Sequence, residues 1–179
     1  MKKTLIERIE VGAGGAASIT FSSIPADYTD LLVKLSVRST DTSVADGYDP
    51  LLYRLNDSTT GYSARTLIGT GSAAFSNAPT TDTASVGGTW GRPVFNGIAN
   101  SLTTSNTFSS ISFYLPNYTA SANKSGSIDM VFENNATRAE QEIDALLWSN
   151  TAAVTQVAFA LKLGSFVQYS SATLYGISA

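Results

Sequence analysis

The sequence predicts an all-β protein, an antiparallel β-sandwich of about nine or ten strands with a jelly-roll or Greek-key topology. In most segments apolar and polar residues alternate, and a period of two is typical of a strand with one buried face and one wetter face. Clusters of Gly, Asn, Asp and Ser separate these segments, as the turns of an antiparallel protein require. No segment favours a helix of more than about one turn.

The clearest alternation lies in the last third of the chain, from Ser109 to the C-terminus. It predicts four consecutive strands, with apolar positions at Ile111, Phe113 and Leu115, at Ile128, Met130 and Phe132, at Val157, Phe159, Leu161 and Leu163, and along the closing stretch 164–177. Val131 is the one apolar residue on the polar side of its strand. A further strand alternates Ile143, Ala145 and Leu147 with Asp144, Leu146 and Trp148.

The first half of the chain carries further strand candidates. They cover residues 4–11, 19–21, 31–37, 51–55 and 62–68. In the first of them we expect Leu5 and Ile9 to face inward, and residues 1–12 are a candidate N-terminal arm that copies exchange. Residues 69–109 lack a period and predict a long loop-rich insertion, with one or two short strands and one of these near Phe95–Ala99. Residues 136–142 predict at most a turn of helix.

Length and charge limit the class of protein. A chain of 179 residues is long enough for one domain, so we expect a single sandwich over residues 1–179. Only 14% of residues are charged and the net charge is −3, which argues against disorder and against nucleic-acid binding. No window approaches the roughly 18 apolar residues of a membrane span. The short apolar start is interrupted by Glu7, Arg8 and Glu10, so we expect no secretory signal.

Cysteine and histidine are both absent from the sequence. The chain therefore has no disulfide and no thiolate metal site. The lack of histidine removes the commonest general base, the Ser-His and Cys-His nucleophile pairs and the usual zinc ligand. The composition predicts a non-enzymatic protein with no cofactor and no metal.

Three aspartates, Asp41, Asp46 and Asp49, lie in the polar loop of residues 40–50. Carboxylates clustered on a loop can bind calcium, but the spacing does not match an EF-hand because Ala45 occupies position five. A solvated acidic loop is the favoured interpretation.

Glycoside hydrolysis needs two carboxylates and no histidine, which makes it the enzymatic alternative. The candidate carboxylates are Asp129, Glu133, Glu140, Glu142 and Asp144. The alternation places Asp129 and Glu133 on the outer face of a strand, and nothing places two carboxylates across a cleft. This hypothesis ranks last.

Aromatic residues in the loops favour a different kind of site, a carbohydrate- or receptor-binding surface, because aromatic rings stack on sugars. The possible ligand contacts are Trp90, Arg92, Tyr48 and Tyr62. The competing interpretation is that Trp90 and Phe75 plug the end of the core. We favour it, since large aromatic residues bury most of their area on average.

Stretches near both ends of the chain carry a family resemblance. The first is 18–31 (SITFSSIPADYTDL), followed by 33–38 (VKLSVR). The second is 164–177 (GSFVQYSSATLYGI), preceded by 148–155 (WSNTAAVT). Together they resemble small virion structural proteins of tailed bacteriophages, whereas residues 39–108 match nothing in that group.

The resemblance implies a non-enzymatic β-sandwich that assembles on the virion in the host cytoplasm, either as a capsid decoration (cement) protein or as a fibre or tail accessory. The implied partners are the major capsid protein or other virion proteins, and further copies of the chain. A homotrimer is the expected state by analogy with accessories on symmetry axes. No catalytic residues carry over. The alternative function is a carbohydrate- or receptor-binding module of a tail fibre, with a glycan as ligand.

Overall fold

A computed structural model describes residues 2–44, 48–78, 81–82, 90–91, 97–133 and 139–178. The described residues form strands and connecting loops. The strands are β1 (Lys2–Glu10), β2 (Ser18–Phe21), β3 (Asp30–Val37), β4 (Tyr48–Asp49), β5 (Leu51–Leu55), β6 (Tyr62–Gly69), β7 (Ala74–Asn77), β8 (Thr81–Asp82), β9 (Trp90–Gly91), β10 (Ile98–Ala99), β11 (Ser109–Pro116), β12 (Lys124–Phe132), β13 (Glu140–Trp148), β14 (Val157–Leu161) and β15 (Ser171–Ser178). In this part of the chain no helix is long and apolar enough to cross a membrane.

The strands form two main sheets. The larger has eight strands in the order β1-β15-β3-β11-β12-β13-β6-β7, and the smaller has five in the order β2-β14-β5-β9-β8. Strands β10 and β4 make a separate two-stranded ladder. Neighbouring strands run antiparallel, as in the β11–β12 and β14–β5 pairs. The all-β, antiparallel sandwich predicted from the alternation is confirmed.

One hydrophobic core joins the inner faces of the two sheets. Val33, Phe113 and Ile128 of the larger sheet are fully buried, and so is Phe159 of the smaller sheet. The Phe113 ring meets the Phe159 ring edge-on, with centroids 5.5 Å apart. Ring contacts of this kind add to the stabilisation that each ring gains by removing apolar area from water.

The fifteen described strands exceed the predicted nine or ten because several are very short. Strands β4, β8, β9 and β10 have two residues each. Four strands, β7 to β10, fall within residues 69–109, where one or two were expected. A two-residue strand has no period, so alternation cannot reveal it.

The N-terminal strand lies at one edge of the larger sheet and pairs with β15 of the same chain. The prediction that Leu5 faces inward is wrong, because the register shifts between Leu5 and Glu7. Such a bulge exchanges the two faces of a strand. Leu5 is therefore exposed, while Ile6 and Ile9 pack against the core.

Strand β13 also differs from the sequence-based prediction. Residues 140–142 belong to this strand, so the helical turn predicted to end there is wrong for them. Its inward face carries Leu146 and Trp148, and the other alternating set, which includes Ile143, faces out.

The two stretches that carry the family resemblance meet in the larger sheet through β3 and β15, and the first of them also supplies β2 of the smaller sheet. Strand β15 pairs with β3, with Leu174 opposite Val33 and Gly176 opposite Leu31. Gly176 allows the ring of Tyr28 to lie against its backbone, where any added Cβ would overlap that ring. The chain ends therefore build one continuous piece of the scaffold.

Candidate functional site

Two of the four residues predicted as ligand contacts are core residues. Trp90 is only 4% exposed and packs with Leu52, Ala158 and Ala160. The guanidinium carbon of Arg54 lies 4.1 Å from its ring centroid. Trp90 thus plugs the fold, as the competing interpretation predicted, and has no open face on which a sugar could stack.

Tyr62 is also a buried residue, and both its ring and its hydroxyl have partners within the protein. Its hydroxyl accepts a hydrogen bond from the amide of Leu55 at 3.0 Å and donates to the carbonyl of Ser58 at 3.1 Å. Its ring stacks on Trp148 with centroids 6.4 Å apart. The prediction of Tyr62 as a ligand contact does not fit this packing, because both the ring and the hydroxyl are engaged within the protein.

The remaining aromatic predictions have different outcomes. Tyr48 lies half-buried in the short strand β4, opposite Ala99. Arg92 lies outside the described residues. Phe75 on β7 is exposed, so the prediction that it plugs the core is wrong for this residue. Of the three proposed contacts that the structure describes, two are buried and one is half-buried, so they offer no common binding surface.

Asp41 and Asp49 organise loops instead of facing solvent. Asp49 is fully buried, and its carboxylate accepts hydrogen bonds from Ser39 Oγ (2.6 Å), the Gly164 amide (2.8 Å) and the Leu163 amide (3.0 Å). Burial raises the pKa of Asp49, and these hydrogen bonds oppose that rise.

Asp41 is buried too and accepts from Ser43 and Asn100. The solvated acidic loop is therefore wrong for these two residues, because internal donors have replaced water. Asp46, the third aspartate of the loop, lies outside the described residues. In the described part of the chain, no group of three acidic residues is placed to hold a metal ion.

Arg38, at the end of one stretch that carries the family resemblance, is another buried anchor. It donates to Thr103 Oγ1 at 3.0 Å and to the carbonyls of Thr104 and Thr107 at 2.9 and 2.8 Å. A guanidinium offers several donors in one plane, which suits it to hold several carbonyls at once. Its role in the structure is to fix the loop between β10 and β11.

The most unusual polar feature is a row of three carboxylates on the inward face of β13. Glu140, Glu142 and Asp144 are all buried. Strand alternation puts them on one face at intervals of roughly 7 Å. Asp144 accepts a hydrogen bond from the hydroxyl of Thr66 on β6. These are three of the five candidate hydrolase carboxylates, while Asp129 and Glu133 are exposed, as the alternation predicted.

Burial has a clear electrostatic effect on this row. Burial, together with the negative charge of Glu142, raises the pKa of Asp144 to about 8, and the Thr66 hydrogen bond opposes part of this rise. Paired carboxylates with separated pKa values are typical of glycosidases. Here, however, Glu142 and Asp144 are 0% and 1% exposed, so a sugar ring cannot reach them, whereas Glu140 lines an open cleft of about 530 Å³ together with Glu133.

The outward side of the larger sheet has the opposite character. Val131 on β12, Ile143 on β13 and Leu67 on β6 are 40%, 50% and 55% exposed. Ile143 lies directly opposite Leu67. Val131 lies opposite Gln141, which is the outward-facing residue that precedes Ile143 on β13. Apolar residues on neighbouring strands thus form one exposed patch. We call the outward side of strands β11, β12, β13, β6 and β7 the outer face.

The two edges of the larger sheet differ in charge. Strand β1 carries five charged residues, including Lys3, whose ammonium lies 4.3 Å from the ring centroid of Tyr175. Strand β7 at the opposite edge carries none, and all four of its residues are exposed. Charged side chains on an edge strand discourage pairing with other chains, so β1 is protected in a way that β7 is not.

Sequence reasoning missed the outer face, although one signal was present. Val131 breaks the alternation of its strand. An apolar residue on the polar side of a strand indicates an apolar position on the outward side of the sheet. Ile143 and Leu67 gave no such signal, because their strands have apolar residues at both alternating sets.

Taken together, the described residues offer buried anchors, a buried acidic row and one extended apolar surface. Of these three features, the apolar surface has the most exposed side chains. Comparisons with protein-family models, with curated proteins and with solved structures find no match for this chain.

Proposed function

We propose that the protein is a non-enzymatic structural component of a bacteriophage virion, a capsid decoration (cement) protein or a fibre or tail accessory. It acts by multivalent binding to the major capsid protein, to other virion proteins or to neighbouring copies. It is assembled on the particle in the host cytoplasm. The observation that carries the proposal is the outer face, which is broad, nearly uncharged and exposed.

Two further features support this function. The stretches that resemble phage structural proteins form adjacent strands of the scaffold, β3 and β15. Of the candidate hydrolase carboxylates, Glu142 and Asp144 lie in the core, where no substrate can reach them. A surface that binds weakly in one copy can bind firmly when many copies are held on one particle.

The test compares particles made with and without the gene. Under the proposal, particles lacking the protein assemble but lose integrity at lower temperature or lower salt, and added protein restores them. In a parallel experiment the Ile143→Asp variant is added instead, and it should restore the integrity of the particles less well. Particles whose stability and host attachment are both unchanged by the deletion would contradict the proposed function.

A second candidate function, carbohydrate or receptor binding, is favoured by one cleft away from Trp90. The cleft has a volume of about 310 Å³. It is lined by Arg38, Ser105, Asn106, Phe108, Val167, Gln168 and Tyr169. The Tyr169 side chain is 66% exposed. Tyr169 has a positive φ of 69°, a backbone conformation that is uncommon for a bulky residue and that often occurs at binding sites.

An exposed ring beside amide side chains is the combination that binds sugars. If this second function holds, Tyr169→Ala should weaken binding to a glycan by roughly tenfold, as loss of an aromatic anchor does. Tyr169→Phe is the matched control, because it keeps the stacking ring and should bind almost normally. Glycan-array screening followed by calorimetry provides the measurement. No binding by the unaltered protein would remove this candidate.

A further inference from the structure

The outer face has an unusual pattern for a surface. Strand β13 places Glu142 and Asp144 in the core and exposes half of Ile143. The patch extends onto both neighbouring strands through Leu67 and Val131. Exposed aliphatic side chains lose the free energy that burial would provide, about 25 cal/mol for each Å². A contiguous patch of them is typical of a surface that another protein covers.

Charge on this face is sparse and balanced. Among the described outward-facing residues of its five strands, the charged ones are Asp129 on β12 and Arg65 on β6. Asp129 lies opposite Ile143, on the side away from Leu67. Arg65 lies two residues along β6 from Leu67, opposite Ala145. The two opposite charges therefore flank the apolar patch on opposite sides.

This arrangement is self-complementary, and we propose that the outer face binds a second copy of the same chain about a two-fold axis. A two-fold axis that lies in the plane of the interface and crosses β13 obliquely, between Ile143 and Ala145, places Asp129 of each copy opposite Arg65 of the other. The same operation places Ile143 of each copy against Leu67 of the other. A two-fold contact makes each of these pairs twice. The opposite charges on the two sides of the patch favour a second copy of the chain as its partner.

The size of the face sets the expected strength. Five strands about 4.8 Å apart and about 26 Å long give roughly 600 Å² for each copy. Standard interfaces bury about 800 Å² on each partner. We therefore expect a dimer with a dissociation constant in the micromolar range. A larger fraction of copies will be dimeric where copies are concentrated on a particle. The dimer's role on a virion rests on the proposed function, whereas its existence in solution does not.

The first experiment measures mass against concentration by sedimentation and by light scattering behind a sizing column. The unaltered protein should shift from 18.8 kDa towards twice that mass as its concentration rises. Ile143→Asp should raise the dissociation constant at least about tenfold. Leu102→Asp, at an exposed aliphatic residue outside the face, is the matched control and should dimerise normally. Circular dichroism and thermal melting establish that each variant is folded.

The second experiment tests the charge pairing. Asp129→Arg and Arg65→Asp should each weaken the dimer, because each places like charges opposite one another. The double variant exchanges the two charges and should restore a dissociation constant within about threefold of the original. Restoration would identify this face and this symmetry, since a structural defect in either variant would not be repaired by the other.

Three results would overturn the inference. They are a monomer at every concentration up to about 1 mM, a trimer or dimer that Ile143→Asp leaves unchanged, and a double variant that dimerises no better than the single ones. None of these bears on whether the protein is found on particles. Conversely, a dimer that follows the predicted pattern would stand even if virions lack the protein.

Discussion

Replacing Asp49 with alanine is expected to lower the free energy of unfolding by about 4 kcal/mol. The carboxylate is fully buried and accepts from Ser39 Oγ and from the amides of Leu163 and Gly164. Alanine would leave these donors without an acceptor, and each unsatisfied donor costs about 1–3 kcal/mol. The effect should be large because Asp49 joins the loop after β14 to the residues that follow β3. Urea unfolding followed by circular dichroism measures it.

An exposed aspartate provides the control for this experiment. Asp27→Ala removes a carboxylate from the surface and should change stability by less than about 0.5 kcal/mol. If Asp49→Ala costs less than about 1 kcal/mol, the anchoring role assigned to Asp49 would be wrong.

Replacing Asp144 with asparagine is expected to stabilise the protein at alkaline pH. Burial, with a contribution from the charge of Glu142, raises the pKa of Asp144 from 3.8 to about 8. The folded state therefore holds a proton that the unfolded state releases. The stability linked to this proton is complete below pH 3.8, falls as the pH rises, and is lost above about pH 8. Asparagine cannot ionise, and its carbonyl can still accept from Thr66.

The expected result is therefore a difference that depends on pH. At pH 9 the Asp144→Asn variant should be more stable than the unaltered protein by on the order of a few kcal/mol, and near pH 4 the two should be about equal. Asp129→Asn, at an exposed position, should show no such dependence on pH. Thermal melting at several pH values measures both. Parallel pH profiles for Asp144→Asn and the unaltered protein would contradict a buried, protonated Asp144.

The strands that the sequence predicted well are those in which apolar residues fill one alternating set and polar residues fill most of the other. In β3 and β11 the apolar set contains Val33, Leu35 and Phe113, and every one of these is buried. Strand β13 was ambiguous, because both of its alternating sets contain aliphatic residues. Its register depends on neighbours from distant parts of the chain, such as Thr66, whose hydroxyl donates a hydrogen bond to Asp144. Such pairings are not encoded in the local pattern.

The candidate site was harder to predict than the fold. Burial of Trp90 was the favoured expectation, but its partners Ala158 and Ala160 lie about seventy residues away along the chain and could not be named. Asp49 looked solvated, but its donors come from Leu163 and Gly164. Both cases have one cause: the sequence identifies a polar or aromatic residue, and only the tertiary structure supplies its neighbours.

The measurement that tests the central claim most directly is a count of this protein in purified particles. Gradient-purified virions would be analysed by quantitative mass spectrometry, with the major capsid protein as the internal reference. The proposed function predicts a fixed, repeated number of copies for each particle, retained after washing in moderate salt. Absence of the protein from particles made by cells that express it would contradict a virion structural role.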